Sequence, residues 1–325
     1  MEIILGACCG GLLPGIFLAL LVYSLDRYEK EPWGLVGMAF IWGAVPAIIL
    51  SLLVQLPVDW LFPNDLVTGV IVAPISEEFF KALIVGIFVL AARREVDSVT
   101  DGIIYGAMAG FGFGATENVL YLLGAGAEGG AGQLLIVWVL RTIVFGLNHA
   151  FFTSLSGIGL AKARLSRSTV TRVVAPLLGL AAAILAHAVH NLGVGMTEQW
   201  GLGAFGLSIL SDWMGALGVL VTMLVALNNE RKWMLAYLPE EVSLGVLSQA
   251  QYENALSTTR RTTAVFGALA RGDLARFRQG GRFFGLCSEL AQKKHQCITL
   301  GEQYQAEVTR LRNELYALGQ TLGAP

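Results

Sequence analysis

Residues 67–92 read VTGVIVAPISEEFFKALIVGIFVLAA, an apolar run interrupted in its middle by Glu77, Glu78 and Lys81. About 20 apolar residues suffice for a helix to cross a hydrocarbon core roughly 30 Å thick. Each ionisable group inside such a helix costs at least about 2.5–3.5 kcal/mol on insertion scales. Glu78 and Lys81 are three apart and Glu77 and Lys81 four apart, so one ammonium can reach either carboxylate from the same helix face. An inert clasp between helices needs only one carboxylate per lysine. The surplus acid points to proton chemistry inside a membrane.

Working outward, six more segments have the length and apolarity of spans: 3–25, 34–56, 102–123, 133–161, 173–195 and 204–227. The expected fold is all-α, a polytopic membrane helix bundle of seven transmembrane helices, or eight if the long fifth segment is split. Connections at 26–33, 93–101 and 162–172 carry Arg27, Lys30, Arg93, Arg94, Lys162, Arg164, Arg167 and Arg172, whereas 57–66, 124–132 and 196–203 carry no Lys or Arg. Cationic loops stay on the cytoplasmic side. The alternation therefore predicts an N-terminus outside and a C-terminus inside, and splitting the fifth segment would break it. Trp33, Trp60, Trp138, Trp200 and Trp233 fall near span ends, as an interfacial aromatic belt would.

The composition agrees. The chain has 325 residues, of which 55% are hydrophobic and only 14% charged, against about 25% charged in soluble domains. An ordinary soluble enzyme is excluded. Residues 1–227 hold 10 Lys/Arg and 15 Asp/Glu, and residues 228–325 hold 12 and 9. That split marks a transmembrane core at 1–227 and a cytoplasmic helical tail at 228–325, with no basic excess of the size a nucleic-acid binder carries. In the tail, Pro239-Glu240-Glu241 reads as a helix start. Leu290, Cys297, Tyr304, Leu311 and Leu318 recur every seven residues, joined by Val308 and Leu315. Gly280-Gly281 would precede this helix, which either folds into a hairpin on itself or serves as an oligomer or partner contact. His295 is expected to be solvated on its polar side. The four cysteines read as packing residues. Only seven residues precede Cys8, too few for the n- and h-regions of a lipoprotein signal.

The remaining polar residues of the spans are few: Glu117 and Asn118, Arg141, Asn148 and His149, His187, His190 and Asn191, and Asp212. Phe113 and Glu117, His149 and Thr153, and His187 and Asn191 are each four apart, one turn along a helix face. Counting about 1.5 Å per residue puts Glu77, His149 and His187 near the bilayer midplane. Together they have the parts for hydrolysis: a carboxylate to activate water, an imidazole to move protons or bind metal, and an amide such as that of Asn191 for an oxyanion. The catalytic candidates are Glu77, Glu78, Glu117, His149, His187 and Asn191, with Lys81, Phe113 and Thr153 in support. Glu78, His149 and His187 are the candidate ligands should zinc be used, although no HExxH pattern is present. His190 reads as a supporting or packing residue. Arg141 reads as an interfacial anchor or a partner of Glu128.

Five motifs in order then resemble the PrsW family of intramembrane proteases: Ser76-Glu77-Glu78-Phe79-Phe80-Lys81, Asp101-Gly102-Ile103-Ile104-Tyr105-Gly106, Gly112-Phe113-Gly114-Ala115-Thr116-Glu117-Asn118, Asn148-His149-Ala150-Phe151-Phe152-Thr153 and His187-Ala188-Val189-His190-Asn191. The loop Asp26-Arg27-Tyr28-Glu29-Lys30-Glu31-Pro32 looks like the acidic, proline-ended loop after that family's first span. The resemblance covers roughly residues 20–225. It is similar in turn to the CAAX prenyl endopeptidases, though position 117 holds Glu where those enzymes use His, so their pairing of groups does not transfer. The resemblance implies an intramembrane endopeptidase acting on single-pass membrane proteins such as anti-sigma factors, in a bacterial-type plasma membrane. Two other classes fit the same polar cluster. One is a proton-coupled transporter, against which the lack of a visible inverted repeat counts. The other is a scaffold that binds single-pass partners without cutting them.

Overall fold

Helices are the only regular structure among the described residues, which in this computed structural model are 1–322 apart from Arg27 and Glu29. Those two residues, counted above in the first basic loop and its motif, lie outside the described residues. In chain order the helices are α1 (Glu2–Leu25), α2 (Trp33–Trp42), α3 (Ile48–Leu61), α4 (Asp65–Val67), α5 (Ala73–Ala91), α6 (Val99–Trp138), α7 (Asn148–Arg164), α8 (Thr169–Gly195), α9 (Thr197–Trp200), α10 (Leu202–Ser243), α11 (Gln249–Leu256), α12 (Thr258–Ala270), α13 (Leu274–Leu300) and α14 (Gln305–Leu322). Wide π-helical turns at Gly43–Ala47, Thr68–Val72 and Val139–Val144 link several of them.

Five helical stretches are long and apolar enough to cross a membrane: Glu2–Leu25, Trp33–Leu61, Val99–Arg164, Thr169–Gly195 and Leu202–Ser243. The expected segments 102–123 and 133–161 both lie within the 66-residue stretch Val99–Arg164, whose helix is interrupted at Gly130 (φ 64°, ψ −155°). Segment 67–92 is absent from the five because Glu77, Glu78 and Lys81 share one turn of α5. The chain is thus an all-helical, multi-pass membrane protein.

It divides into two compact units, one of Met1–Leu25 and Glu31–Met223, the other of Asp26–Lys30 and the residues from Leu224 on. In the first unit α6 is the central element, buried without a break from Thr100 to Ala115. Its start is fixed by a capping box: Ser98 Oγ accepts from the Asp101 N–H at 3.1 Å, and Asp101 Oδ2 accepts from the Ser98 N–H at 2.7 Å. Tyr105 donates to the carboxylate of Glu31, whose backbone carbonyl accepts from Tyr23 at 2.9 Å. The loop before α2 is thereby tied to α6.

Glycines at every fourth position of α6 let α7 approach backbone to backbone. A Cβ on Gly102 would strike the carbonyl of Gly157, one on Gly106 the backbone of Thr153, and one on Gly110 the carbonyl of His149. This antiparallel register sets His149 opposite the α6 turn that leads to Glu117. Gly157→Ala is therefore expected to cost about 1–3 kcal/mol, the range for overpacking. Gly86→Ala, placed where a Cβ meets open space, should melt no lower than the wild type. Thermal unfolding of both variants in nanodiscs checks this, and equal midpoints would refute the close-contact register.

The second unit corrects several expectations. Pro239 does not start a helix but lies inside α10. Gly280 and Gly281 lie inside α13, where Gly280 is buried and its missing Cβ faces Val265. The break comes instead at Gly301 (φ 119°), so the seven-residue pattern is split between α13 and α14. The two helices form an antiparallel hairpin that buries Leu290, Val308, Leu311 and Leu315, joined by Arg282–Glu314 and Arg310–Glu289 pairs. Glu241, fully buried, accepts from Lys294 at 2.7 Å and from two nitrogens of Arg312 at 2.7 Å each. Burial raises its carboxyl, but these hydrogen bonds outweigh that and hold it below the ordinary value. His295 is not free in solvent: it stacks on Trp233 (4.5 Å between centroids) and lies 3.1 Å from the Tyr237 hydroxyl. Of the cysteines only Cys287 is fully buried, and burial pushes its thiol up to about 12.

Candidate active site

Glu77, Glu78 and Lys81 occupy one face of α5 and are all buried. The lysine ammonium is 2.5 Å from Glu78 Oε1 and 3.9 Å from Glu77 Oε2. It also lies 3.1 Å from His149 Nδ1 and 4.3 Å from the centre of the Phe113 ring. The Phe113 ring thus covers the lysine ammonium. Glu78 is saturated, since its Oε1 also takes His187 Nδ1 at 2.9 Å and its Oε2 accepts from Thr153 at 3.0 Å. α5, α7 and α8 are thereby pinned together by one carboxylate. Pairing and full hydrogen bonding offset the cost of burying such a charge.

Glu77 is placed differently. Its Oε1 accepts from Gln55 of α3 at 3.2 Å, and the same amide reaches Ser76 Oγ at 3.1 Å. Its Oε2 is buried and has no hydrogen-bond partner. Facing that oxygen at 3.9 Å is His187 Nε2. Because His187 Nδ1 donates to Glu78, Nε2 carries the lone pair. His149 is oriented by the same logic: Nε2 donates to Glu117 Oε2 at 2.8 Å, leaving its Nδ1 lone pair towards Lys81. Donor atoms of Glu77, His149 and His187 all lie within 4.8 Å of one another. The sequence pointed to Glu78 as the carboxylate of this set. The geometry brings in Glu77 instead, because both oxygens of Glu78 are already committed.

One carboxylate and two imidazoles make up a donor set suited to a catalytic zinc. The residues present fit a divalent cation on two grounds: an orphaned buried carboxylate oxygen, and two ring nitrogens each held by a carboxylate through the opposite nitrogen, the usual support of a metal-binding histidine.

Glu117 and Asn118 hold Arg141. The guanidinium pairs with the Glu117 carboxylate, and its Nε donates to Asn118 Oδ1 at 2.8 Å. Arg141 also covers Tyr121. Arg141 is thus no partner of Glu128 but belongs to the rim of the cluster. A water-sized cavity of about 20 Å³ lies beside it, lined in part by Asn118, Arg141, Asn148 and His149. That is room for about one water. Asn191, one turn beyond His187, donates to the carbonyl of Gly69 at 2.7 Å. This carbonyl sits in the π-helical turn that leads into α5. His190 packs behind the cluster: its ring meets Phe145 edge-on, and its Nδ1 lies 2.7 Å from Asp212 Oδ2, within ion-pair range though off the line of a hydrogen bond.

Sequence reading missed Gln55 and misplaced Arg141. The signal for Gln55 was its isolation, an uncharged amide inside an otherwise apolar span.

Residues 31–234 match the family described as PrsW family intramembrane metalloprotease. Protease PrsW of Geobacillus kaustophilus (strain HTA426) is 28% identical over 208 residues, covering 64% of this chain and 87% of the relative. Protease PrsW of Bacillus subtilis (strain 168) is 30% identical over 169 residues, covering 52% and 77%. No solved structure matches the chain.

Proposed function

The chain belongs to the PrsW family of intramembrane proteases, and from that premise we propose that it hydrolyses single-pass membrane proteins at the Glu77, His149 and His187 cluster. The convergence of these three buried side chains from α5, α7 and α8 carries the reading. Anti-sigma-factor-like proteins are the substrate class, in keeping with the family resemblance. The setting is a bacterial-type plasma membrane crossed seven times, with the N-terminus outside and the tail from residue 228 in the cytoplasm, in keeping with the loop charges.

Glu77 Oε2 activates the attacking water. It is the buried glutamate oxygen of the cluster without a hydrogen-bond partner, so a water's proton reaches it without displacing another group. Were a metal bound, Glu77 Oε2 would be its ligand together with His149 and His187 instead of the base, and zinc there would supply Lewis-acid polarisation of a carbonyl and of water. Glu117 holds the His149 ring and Glu78 the His187 ring. Lys81 balances the negative charge of Glu78. Asn191 spends one N–H on Gly69, and its second is the donor offered to the oxyanion.

Reconstitution tests this. Purified protein in liposomes should cleave at least one of a panel of single-pass reporters, and a chelator should suppress that cleavage. Binding of reporters without any cleavage would establish the scaffold. Proton-coupled solute flux without cleavage would establish the transporter.

A further inference from the structure

The closed end of the α12–α13 hairpin, residues 266–278, differs from the rest of its unit in how its charges are used. Elsewhere in the unit four arginines are paired: Arg260 with Glu253, Arg282 and Arg310 with Glu314, and Arg312 with Glu241. At this tip Arg271, Arg276 and Arg278 are exposed and form no ion pair among the described residues. Its one acid, Asp273, caps α13 by accepting from the Arg276 N–H at 2.8 Å.

Between these cations stand large apolar side chains in solvent. Phe266 is 57% exposed and Leu274 56%, with Leu269 exposed beside them. The Phe266 ring leans edge-on against Phe277 at 5.8 Å, which joins the two helices into one apolar end. The turn between them passes through Gly272 at φ 76°, which keeps it tight. A mixed basic and apolar tip suits a lipid interface: guanidinium groups take phosphates bidentately while the rings and leucines enter the acyl boundary. An acidic protein partner would use the charges but leave the apolar side chains unexplained. The chain also spans a membrane, so a bilayer is held close to this unit at high effective concentration.

We infer that the α12–α13 tip is a membrane-contacting surface that takes acidic phospholipid headgroups. Three arginines at roughly fivefold each are enough to shift a tethered hairpin from mostly free to mostly bound.

The test uses the full chain in nanodiscs, either of phosphatidylcholine alone or with phosphatidylglycerol added, read by amide hydrogen exchange. Peptides covering 266–278 should exchange roughly tenfold or more slowly in the anionic discs, and salt should reverse the effect. The triple variant Arg271→Gln, Arg276→Gln, Arg278→Gln and the double variant Phe266→Ser, Leu274→Ser should each lose the protection. Peptides from the buried part of α13 should exchange as in wild type, showing that the hairpin still folds. Equal exchange in the two discs overturns the inference. So does protection that survives the triple variant, or that inorganic phosphate, RNA or an acidic peptide reproduces in neutral discs while phosphatidylglycerol does not.

Discussion

Glu77→Gln should abolish detectable cleavage of single-pass reporters in liposomes while leaving the protein folded and inserted. The substitution keeps the side-chain volume and an oxygen for Gln55, which holds Glu77 Oε1 at 3.2 Å, and removes the charge from the oxygen that has no partner. Nothing in the packing depends on that oxygen. A lost general base alone costs about 10²–10⁴ in rate. If that oxygen is instead a metal ligand, the loss shows as lowered metal affinity. Metal analysis of the purified variant divides the two roles: an unchanged metal content with no cleavage assigns Glu77 to water activation alone. Cleavage at more than about a tenth of the wild-type rate would remove Glu77 from the chemistry.

Lys81→Met should produce the largest loss of stability in the membrane unit. Lys81 and Glu78 are both fully buried, 2.5 Å apart. Removing the cation leaves an uncompensated charge in a low-dielectric interior, a defect of about 3–5 kcal/mol in proteins where it has been measured. His187 and Thr153 still hydrogen-bond to the stranded carboxylate, but neither neutralises it. The expected result is a thermal midpoint lower by several degrees in nanodiscs, with cleavage lost as His187 and His149 lose their register. The double variant Lys81→Met, Glu78→Gln removes both charges and should recover much of the stability without the activity, because coupled neighbours are non-additive. A double variant no more stable than the single one would show that packing of the lysine stem, and not charge, holds α5 to α7 and α8.

Parts of this site were legible because hydrophobic solvation makes them so. Glu77, Glu78, Lys81, Glu117, His149 and His187 stand out because an ionisable group in an apolar span is costly unless it is used. Their helical spacing put Lys81 within reach of both carboxylates, and its ammonium indeed lies 2.5 Å from Glu78 and 3.9 Å from Glu77. The choice between Glu77 and Glu78 as the free carboxylate was not legible. It depends on which oxygen meets Thr153 and His187, residues 75 and 109 positions away in the chain. Arg141, read as an interfacial anchor or a partner of Glu128, pairs instead with Glu117, brought in from another turn of α6. In the tail, Leu290, Val308, Leu311 and Leu315 of the pattern are buried while Cys297, Tyr304 and Leu318 are only half-buried, and Gly301 divides the pattern between two helices. A periodic stripe carries no information about where the chain reverses.

By itself the sequence determined that this is an all-helical membrane protein with a compact inventory of buried acids, imidazoles and a lysine, because the transfer energies of side chains are local properties that composition and spacing record. Tertiary structure decided which of those groups saturate one another and which oxygen is left over. Hydrogen-bond partnership is a property of pairs, and the pairs here are made across α3, α5, α6, α7 and α8 only once the small residues of α6 let the backbones meet.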